Sequence, residues 1–443
     1  MPLQKSSESK SWSQQELKEN RDIISALWDK NIVVFNPEAV NRLKKMMIEN
    51  FNVPKSEVER IFSAKDFDVF FKACVKYLPS CDIWSLDYSE KLGITPTQDS
   101  ATKITERDLE HIEQYRQATN IAASYSVACL ASDEKLHSPS WQQQKPYAIH
   151  SIGKVFTGAL MLRMIEEGII PESKLNEPIK NQLSPEVWKN LPEKIKQHLE
   201  ENKVTLHQVM IHQGGLGDYL DSYLKEIKRA LDCEMPIPEI KEPEDFLSYA
   251  DNNIFKVGED HYSNLGILLV GLAIKQACQN KNYDEILDHY ILQGAKIECA
   301  IHKPKEAIYD ENDKLAPHIA GGPAGGYWMT AHDLAKFGSW LYKKSQDSKF
   351  MSLMEKYGQE FYYPEYKVIL HNGGIPSSSA HLVVSVENGM IISVLSNQAR
   401  KAIELGAAIR RHLFRDPERL NVKENKDQTS AEPNSTIQKR PTL

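Results

Sequence analysis

The segment 148–158 reads Ala148-Ile149-His150-Ser151-Ile152-Gly153-Lys154-Val155-Phe156-Thr157-Gly158. It places the hydroxyl of Ser151 three residues before the amine of Lys154, a spacing that puts both side chains on one face of a helix. A serine hydroxyl becomes a good nucleophile only when a neighbouring base takes its proton. A lysine amine can be that base when it is neutral, and burial or the positive end of a helix dipole lowers its pKa.

The surrounding sequence distinguishes this Ser-x-x-Lys pair from four other copies of the spacing, which lie at Ser7/Lys10, Ser100/Lys103, Ser132/Lys135 and Ser222/Lys225. Residues 147–149 are typical of a short strand, and residues 155–167 predict a helix that is apolar on nearly every side and therefore buried. A polar pair on the first turn of a buried helix indicates a functional role. An isolated copy is more often a solvated turn or helix face.

A second segment whose side chains could take part in a reaction is Tyr262-Ser263-Asn264, which precedes the apolar run 265–271. The phenol of Tyr262 can exchange a proton when a neighbouring cation lowers its pKa. The amide of Asn264 can hold a substrate or fix Lys154. The alternative is purely structural, with Ser263 as the N-cap of the helix that follows.

A third segment is His371-Asn372-Gly373-Gly374. His371 can act as a proton partner or bind a substrate carboxylate. Gly373 and Gly374 would let a substrate lie against bare backbone. The alternative is that His371 is an ordinary turn histidine.

Two further patterns do not predict a cofactor. The glycine-rich loop 321–326 lacks the Lys-Ser/Thr that follows in a phosphate loop, so we interpret it as a substrate-site or structural loop. His207 and His212 have no Glu or third ligand at a suitable spacing. We therefore expect no metal and no cofactor.

In this order and at these separations, the three segments resemble the motifs of the serine β-lactamase and penicillin-binding-protein superfamily. The resemblance is to its class C β-lactamase, esterase and D-aminopeptidase branch, and the connecting segments 204–216 and 321–337 resemble that branch too. It covers roughly residues 106–415. It implies an α+β, β-lactamase/transpeptidase-like fold in which an antiparallel sheet is flanked by helices and accompanied by a helical subdomain.

The resemblance also implies roles for individual residues. Ser151 would be the nucleophile, and Lys154 and Tyr262 would share the base and acid roles. The backbone N–H groups of Ser151 and Gly374 would form the oxyanion hole. The substrate-binding residues would be Asn264, His371, Asn372, Gly373 and Gly374.

Two departures from the family pattern favour an esterase or amidase over a true β-lactamase, and a third concerns the strands before Ser151. Asn372 stands where the family often has Thr or Ser to hold a substrate carboxylate, and His371 stands where β-lactamases have lysine. Only about twenty residues separate Leu130 from Ser151, which predicts a short or rearranged strand there.

The domain organisation follows from composition and periodicity. We expect a β-lactamase-like domain over residues 106–415, ending in a hairpin of strands 380–386 and 390–396 and a helix. Residues 13–79 predict a small helical N-terminal unit, and residues 80–105 a linker. The polar residues 1–12 and 416–443 are expected to be disordered.

Composition narrows the function classes. A hydrophobic content of 41% supports a globular core, and a net charge of −7 disfavours nucleic acid as a partner. The chain has no apolar run of the roughly 18 residues that a transmembrane span needs. The N-terminus lacks the apolar core of a secretory signal, so we expect a cytoplasmic protein, with signal-independent export left open.

Our first hypothesis is a serine hydrolase that cleaves an ester or amide through an acyl-enzyme on Ser151, with a small-molecule or peptide acyl substrate. Acyl transfer to an amine is an alternative within the same chemistry. The alternative from another class is a non-catalytic module that uses residues 13–79 to bind a protein partner. Covalent labelling of Ser151 by an acyl probe would separate the enzyme from the module.

Overall fold

The computed structural model describes residues 54–62, 104–131, 133–138, 145–364 and 366–413. Residues 100–413 form one compact unit. In the other unit the described element is the helix α1 (Lys55–Phe62). The predicted disordered ends 1–12 and 416–443, nearly all of the linker 80–105 and most of the helical unit 13–79 lie outside the described residues.

A six-stranded antiparallel sheet organises residues 100–413. Its strand order is β2-β1-β8-β7-β6-β5, and β3 and β4 form a separate two-stranded ladder. Because β1 pairs with β8, the beginning and the end of the unit meet at the centre of the sheet. The strands are β1 (Ala123–Cys129), β2 (Asp133–His137), β3 (Tyr147–Ala148), β4 (Trp328–Met329), β5 (Tyr362–Tyr363), β6 (Val368–Ile375), β7 (Ser378–Ser385) and β8 (Met390–Ser396).

Helices supply the remaining layers. They are α2 (Glu106–Ala118), α3 (Gly153–Glu166), α4 (Pro185–Asn190), α5 (Glu193–Glu201), α6 (Leu206–Met210), α7 (Leu220–Asp232), α8 (Asn264–Ala277), α9 (Tyr283–Leu287), α10 (Gln293–Ala295), α11 (Ala331–Ser345), α12 (Ser348–Tyr357) and α13 (Lys401–Leu413). Within the described ranges, no helix is both long enough and apolar enough to cross a membrane.

The predicted hairpin of β7 and β8 is confirmed. Gly389 closes its turn with φ +68, and its N–H donates to the carbonyl of Ser385 at 3.0 Å. That positive φ explains the glycine, because residues with a Cβ rarely adopt it. The predicted shortening before Ser151 is also found, since β2 has five residues and β3 has two.

The sheet is covered on both faces. Helix α11 packs on one face, where Gly338 leaves room for the side chains of Ile391 and Val384. Helix α13 packs on the other face, where Gly406 lies against the ring of His381. Small residues at both crossings let helix and sheet approach closely.

The helical subdomain contains the two most buried helices, α3 and α8. Twelve of the fourteen residues of α3 are buried, which confirms the helix that the apolar pattern predicted, although it begins at Gly153 and not at Val155. Twelve residues of α8 are buried as well. The two helices pack together, and their first turns carry Lys154 and Asn264.

Substitution of Gly406 tests the packing of α13. In an open helix, alanine would be more stable than glycine by about 1 kcal/mol. Here the new Cβ would lie 2.0 Å from Cδ2 of the buried His381. We expect Gly406→Ala to lower the free energy of unfolding, measured by chemical denaturation, by about 1–3 kcal/mol. Gly294→Ala is the matched control, because its nearest neighbouring atom is 3.5 Å away; equal stability of the two variants would contradict the packing described here.

Candidate active site

A short 3-10 turn over His150–Ile152 presents Ser151 at the beginning of α3. His150 has φ +48, a left-handed conformation that is uncommon for a residue with a side chain. Its ring Nε2 shares a 2.7 Å hydrogen bond with Oγ of Ser378 on β7. The turn that carries Ser151 is therefore tied directly to the sheet.

Glycines bring two other segments against the backbone of Ser151. A Cβ on Gly373 would lie 2.3 Å from the carbonyl oxygen of Ile149 and 3.0 Å from the amide nitrogen of Ser151. A Cβ on Gly325 would lie 2.3 Å from the carbonyl oxygen of His150. Strand β6 and the loop 321–326 can meet the nucleophile turn because neither has a side chain at the point of contact.

Two side chains contact the hydroxyl of Ser151. The phenol of Tyr262 donates to Ser151 Oγ at 2.7 Å. The Nζ of Lys154 is 3.1 Å from the same oxygen. Lys154 also lies 4.8 Å from the centroid of the Tyr262 ring, so the three groups predicted to share the chemistry do converge.

The amine of Lys154 is enclosed by hydrogen-bond acceptors. The residue is 1% exposed, and Nζ donates to Asn264 Oδ1 at 2.6 Å and to the carbonyl oxygen of Ala324 at 2.7 Å. A neutral amine has two N–H groups and one lone pair. If these two short bonds use the N–H groups, the lone pair is left for Ser151 Oγ, which is the arrangement that a general base requires.

Electrostatics favour that neutral form. Burial lowers the pKa of Lys154 to about 7, against an opposing effect of the Asp218 carboxylate, which raises it. A desolvated ammonium is costly, so the cationic form loses more on burial than the neutral one does. Near neutral pH a substantial fraction of Lys154 can therefore accept a proton.

Asp218 fixes the orientation of Asn264. Asn264 Nδ2 donates to both carboxylate oxygens of Asp218, at 3.1 and 2.9 Å, which turns Asn264 Oδ1 towards Lys154. The backbone N–H groups of Tyr219 and Leu220 donate to Asp218 Oδ1 at 2.7 and 2.8 Å and hold the carboxylate in place. Of the two roles predicted for Asn264, the contacts support the fixing of Lys154.

Tyr262 and Asn264 flank the N-cap of α8. The hydroxyl of Ser263 accepts from the N–H of Gly266 at 2.8 Å and donates to the carbonyl oxygen of Gly217 at 2.5 Å. The structural interpretation of this segment is therefore correct for Ser263, and it is compatible with the chemical one. The cap is what anchors its two neighbours beside Ser151.

His371 lies behind Tyr262 in a buried cluster. Its Nε2 is 3.2 Å from Oε1 of Glu360, and the same oxygen is 3.0 Å from Nε2 of His212. The ring of His212 packs against the ring of Tyr262, with 4.6 Å between centroids. The Nδ1 of His371 is 2.6 Å from the carbonyl oxygen of Asn372. With both ring nitrogens engaged inside the protein, His371 is not placed to bind a substrate carboxylate, which corrects that expectation.

The hydrogen bonds of this cluster require a proton between Glu360 and His371. His212 accepts from the N–H of Ser263 through Nδ1, so neutral His212 carries its proton on Nε2 and donates to Glu360. The carbonyl of Asn372 can only accept, so His371 carries a proton on Nδ1. Without another proton, two lone pairs would face each other between Glu360 Oε1 and His371 Nε2. The contact between Glu360 and His371 therefore needs one proton besides those on His212 Nε2 and His371 Nδ1.

Burial disfavours a positive charge on the imidazole of His371. Burial and the charge of Lys154 lower the pKa of His371 to about 3. Burial thus favours a neutral imidazole at His371 over an imidazolium.

The three other predicted residues of this segment divide between the two faces of β6. Asn372 accepts through Oδ1 from Nδ1 of His381 at 2.5 Å, on the face that α13 covers. Its side chain therefore points away from Ser151, because successive side chains of a strand alternate between faces. This orientation corrects the expectation that Asn372 binds substrate. Gly373 lies against the Ser151 backbone, and Gly374 lines the cavity in front of it.

That cavity is open to solvent, and Ser151, Asn264 and Gly374 lie in its wall. The loop 321–326 contributes Ala324, Gly325 and Gly326 to the same wall. In the part of the chain that the structure describes, no three His, Cys, Asp or Glu side chains are arranged to hold a metal ion.

Sequence reasoning missed Asp218 and Glu360. Asp218 stands two residues after the recognised segment 204–216, and its signal was the need of a buried lysine–amide pair for a further polar partner. Glu360 had no such signal, because it lies eleven residues before His371 in an irregular segment between α12 and β5.

Comparison with known proteins places this geometry in a family. The family model for Beta-lactamase matches residues 116–414. A curated relative, Beta-lactamase-like protein 4 of Dictyostelium discoideum, is 25% identical over an alignment of 219 residues, and the alignment covers 45% of this chain and 36% of that protein. The chain thus spans about a third of the length of this relative.

Solved structures share the fold. A D-stereospecific amidohydrolase from Streptomyces sp. has a TM-score of 0.52 at 18% identity, over 68% of this chain and 98% of that one. The penicillin-binding protein of Bacillus halodurans gives the same values. The octameric penicillin-binding protein homologue of Pyrococcus abyssi has a TM-score of 0.51 at 18% identity, over 70% and 78% of the two chains. The predicted β-lactamase/transpeptidase-like α+β fold is confirmed, and the match over residues 116–414 shows that the chain belongs to the β-lactamase family.

Proposed function

We propose that this protein is a serine hydrolase that cleaves an ester or an amide through an acyl-enzyme on Ser151. One observation carries the proposal: a buried lysine, with its N–H groups directed to two other acceptors, faces the hydroxyl that Tyr262 also contacts. That arrangement activates an alcohol as a nucleophile.

In the proposed acylation, Ser151 Oγ attacks the carbonyl carbon while its proton passes to Lys154, directly or through Tyr262. The negative charge that develops on the carbonyl oxygen is stabilised by the N–H groups of Ser151 and Gly374. Tyr262 then gives a proton to the leaving alcohol or amine and recovers one from Lys154. A water molecule repeats the sequence on the acyl-enzyme, which releases the acid and restores Ser151.

The names of related proteins support hydrolysis of an acyl bond. The Streptomyces structure is that of an amidohydrolase, and two others are of a penicillin-binding protein and a homologue of one. We favour an esterase or amidase over a β-lactamase, because the third segment has His371 and an outward-facing Asn372 in place of a substrate-binding cation and hydroxyl. Transfer of the acyl group to an amine uses the same acyl-enzyme and is separated by product analysis.

Removal of the nucleophile tests the proposal directly. Ser151→Ala should abolish ester turnover and covalent labelling by a fluorophosphonate, while circular dichroism and the unfolding midpoint stay near those of the wild type. Ser222→Ala is the matched control, because Ser222 has the same Ser-x-x-Lys spacing on α7 and should keep both activities. Retained turnover in a folded Ser151→Ala protein would reject the assignment, and a wild-type protein that no acyl probe labels would favour the binding module.

The pH dependence should report Lys154. Only the neutral amine can take the Ser151 proton, and burial lowers its pKa to about 7. We expect kcat/KM for a neutral ester to rise as the pH increases through about 7 and to level off above it. A profile that is flat between pH 5 and 9 would contradict a lysine base.

Asp218→Asn should change that profile in a defined direction. The Asp218 carboxylate raises the pKa of Lys154, so its removal should move the rising limb to lower pH. Without the Asp218 carboxylate, the amide of Asn264 loses its fixed orientation, which should also reduce kcat by about tenfold, as small displacements in an active site do. Asp232→Asn, which removes an exposed charge on α7, is the control and should change neither quantity. A limb that stays in place, or moves to higher pH, would show that Asp218 does not act through Lys154.

A further inference from the structure

One part of the cavity wall is apolar and aromatic. It is formed by Tyr219, Leu220, Tyr223, Phe246, Ile319 and Ile375. The ring of Phe246 packs against Tyr219 and Tyr223, with centroids 4.7 and 5.3 Å apart. The phenol of Tyr223 donates to the carbonyl oxygen of His318 at 3.1 Å. Its hydrogen is therefore already directed to protein, and the ring presents apolar surface to the cavity.

The cavity wall carries little charge. Among the described residues, those that line it include no Lys, Arg, Asp or Glu. His150 is the titratable base in the wall, and burial, together with Lys154, lowers its pKa to about 4 in spite of Asp313. At neutral pH its ring is uncharged, and Nε2 is hydrogen-bonded to the hydroxyl of Ser378.

The groups behind the wall are engaged within the protein. Lys154 directs its short hydrogen bonds to Asn264 and Ala324, and burial, together with Lys154, lowers the pKa of His371, so its imidazole is neutral near pH 7. A substrate carboxylate in this cavity would lose its water and meet no Lys or Arg side chain in the wall. Such a loss of hydration is expensive in a low-dielectric site.

We propose that the site takes esters or amides whose acyl part is uncharged and apolar, in particular aromatic or branched aliphatic, and that it discriminates against acyl groups that carry a carboxylate. This inference rests on the proposed function. It adds the substrate class, and it rests on a different part of the site, the cavity wall and the third segment, from the Ser151–Lys154–Tyr262 contacts.

A matched pair of substrates tests the substrate class. We would compare the p-nitrophenyl esters of 4-isopropylphenylacetic acid and 4-carboxyphenylacetic acid, whose acyl groups have the same size and shape and differ in charge. The rigid ring keeps the carboxylate away from the ester, so it cannot assist its own hydrolysis. We expect kcat/KM to be higher for the isopropyl ester by at least about tenfold, because the carboxylate would lose its water without meeting a cationic side chain in the wall.

A cation placed in the wall should reverse this discrimination. Ile375 is half-buried at the end of β6 and lines the cavity, so a lysine there can keep its stem in the wall and its amine in water. Ile375→Lys should reduce the ratio of the two kcat/KM values by about tenfold. Ile169→Lys adds the same charge at an exposed site beyond the far end of α3, about 20 Å from Ser151 by helix length, and should leave the ratio unchanged.

The outcomes separate the two levels of the argument. Turnover with equal rates, or with a preference for the carboxylate ester, overturns the substrate class and leaves the hydrolase intact. An unchanged ratio in a folded, active Ile375→Lys protein also overturns it, because the acyl group then does not lie in this cavity. If neither ester is turned over, mass spectrometry of Ser151 decides: preferential acylation by the isopropyl ester supports the inference, and equal or carboxylate-selective acylation overturns it. Absence of any acylation rejects the proposed function, and the inference fails with it.

Discussion

The buried amine of Lys154 is the constraint on which the site depends. A polar group this deep is stable only when its hydrogen-bonding capacity is used. Its partners come from three elements that are distant in the chain: Ser151 from the turn before α3, Asn264 from the first turn of α8, and Ala324 from the glycine-rich loop. Satisfying one amine therefore fixes how these elements meet, and the same contacts orient its lone pair towards the nucleophile.

Backbone approach is the second requirement, and it explains the glycines. Strand β6 and the loop 321–326 come within van der Waals contact of the main chain around Ser151, at Gly373 and Gly325. A side chain at either position would push its segment away from the nucleophile turn. The site is thus assembled from main chain on two sides, and the reactive side chains enter from α3 and α8 on the others.

The ionisable groups around Lys154 interact with partners inside the protein. Asp218 compensates Lys154 through the amide of Asn264, and Glu360 lies within hydrogen-bonding distance of both His212 and His371. The catalytic amine consequently faces a cavity with an apolar wall. Burial makes the ammonium form of Lys154 costly, so part of the amine is neutral near pH 7 and its lone pair can take the Ser151 proton during attack.

The sequence by itself determined the helix that carries Ser151 and Lys154, the β7–β8 hairpin and the α+β class, because periodicity and turn residues are local signals. Alternation along β6 could also have shown that Asn372 faces away from Ser151 if His371 faces inwards. The tertiary structure alone decided the partners: Asp218 behind Asn264, and Glu360 between His212 and His371. Those contacts join residues 11 to 148 positions apart, and the register of β6 and the packing of α8, which no local pattern encodes, bring them within hydrogen-bonding distance.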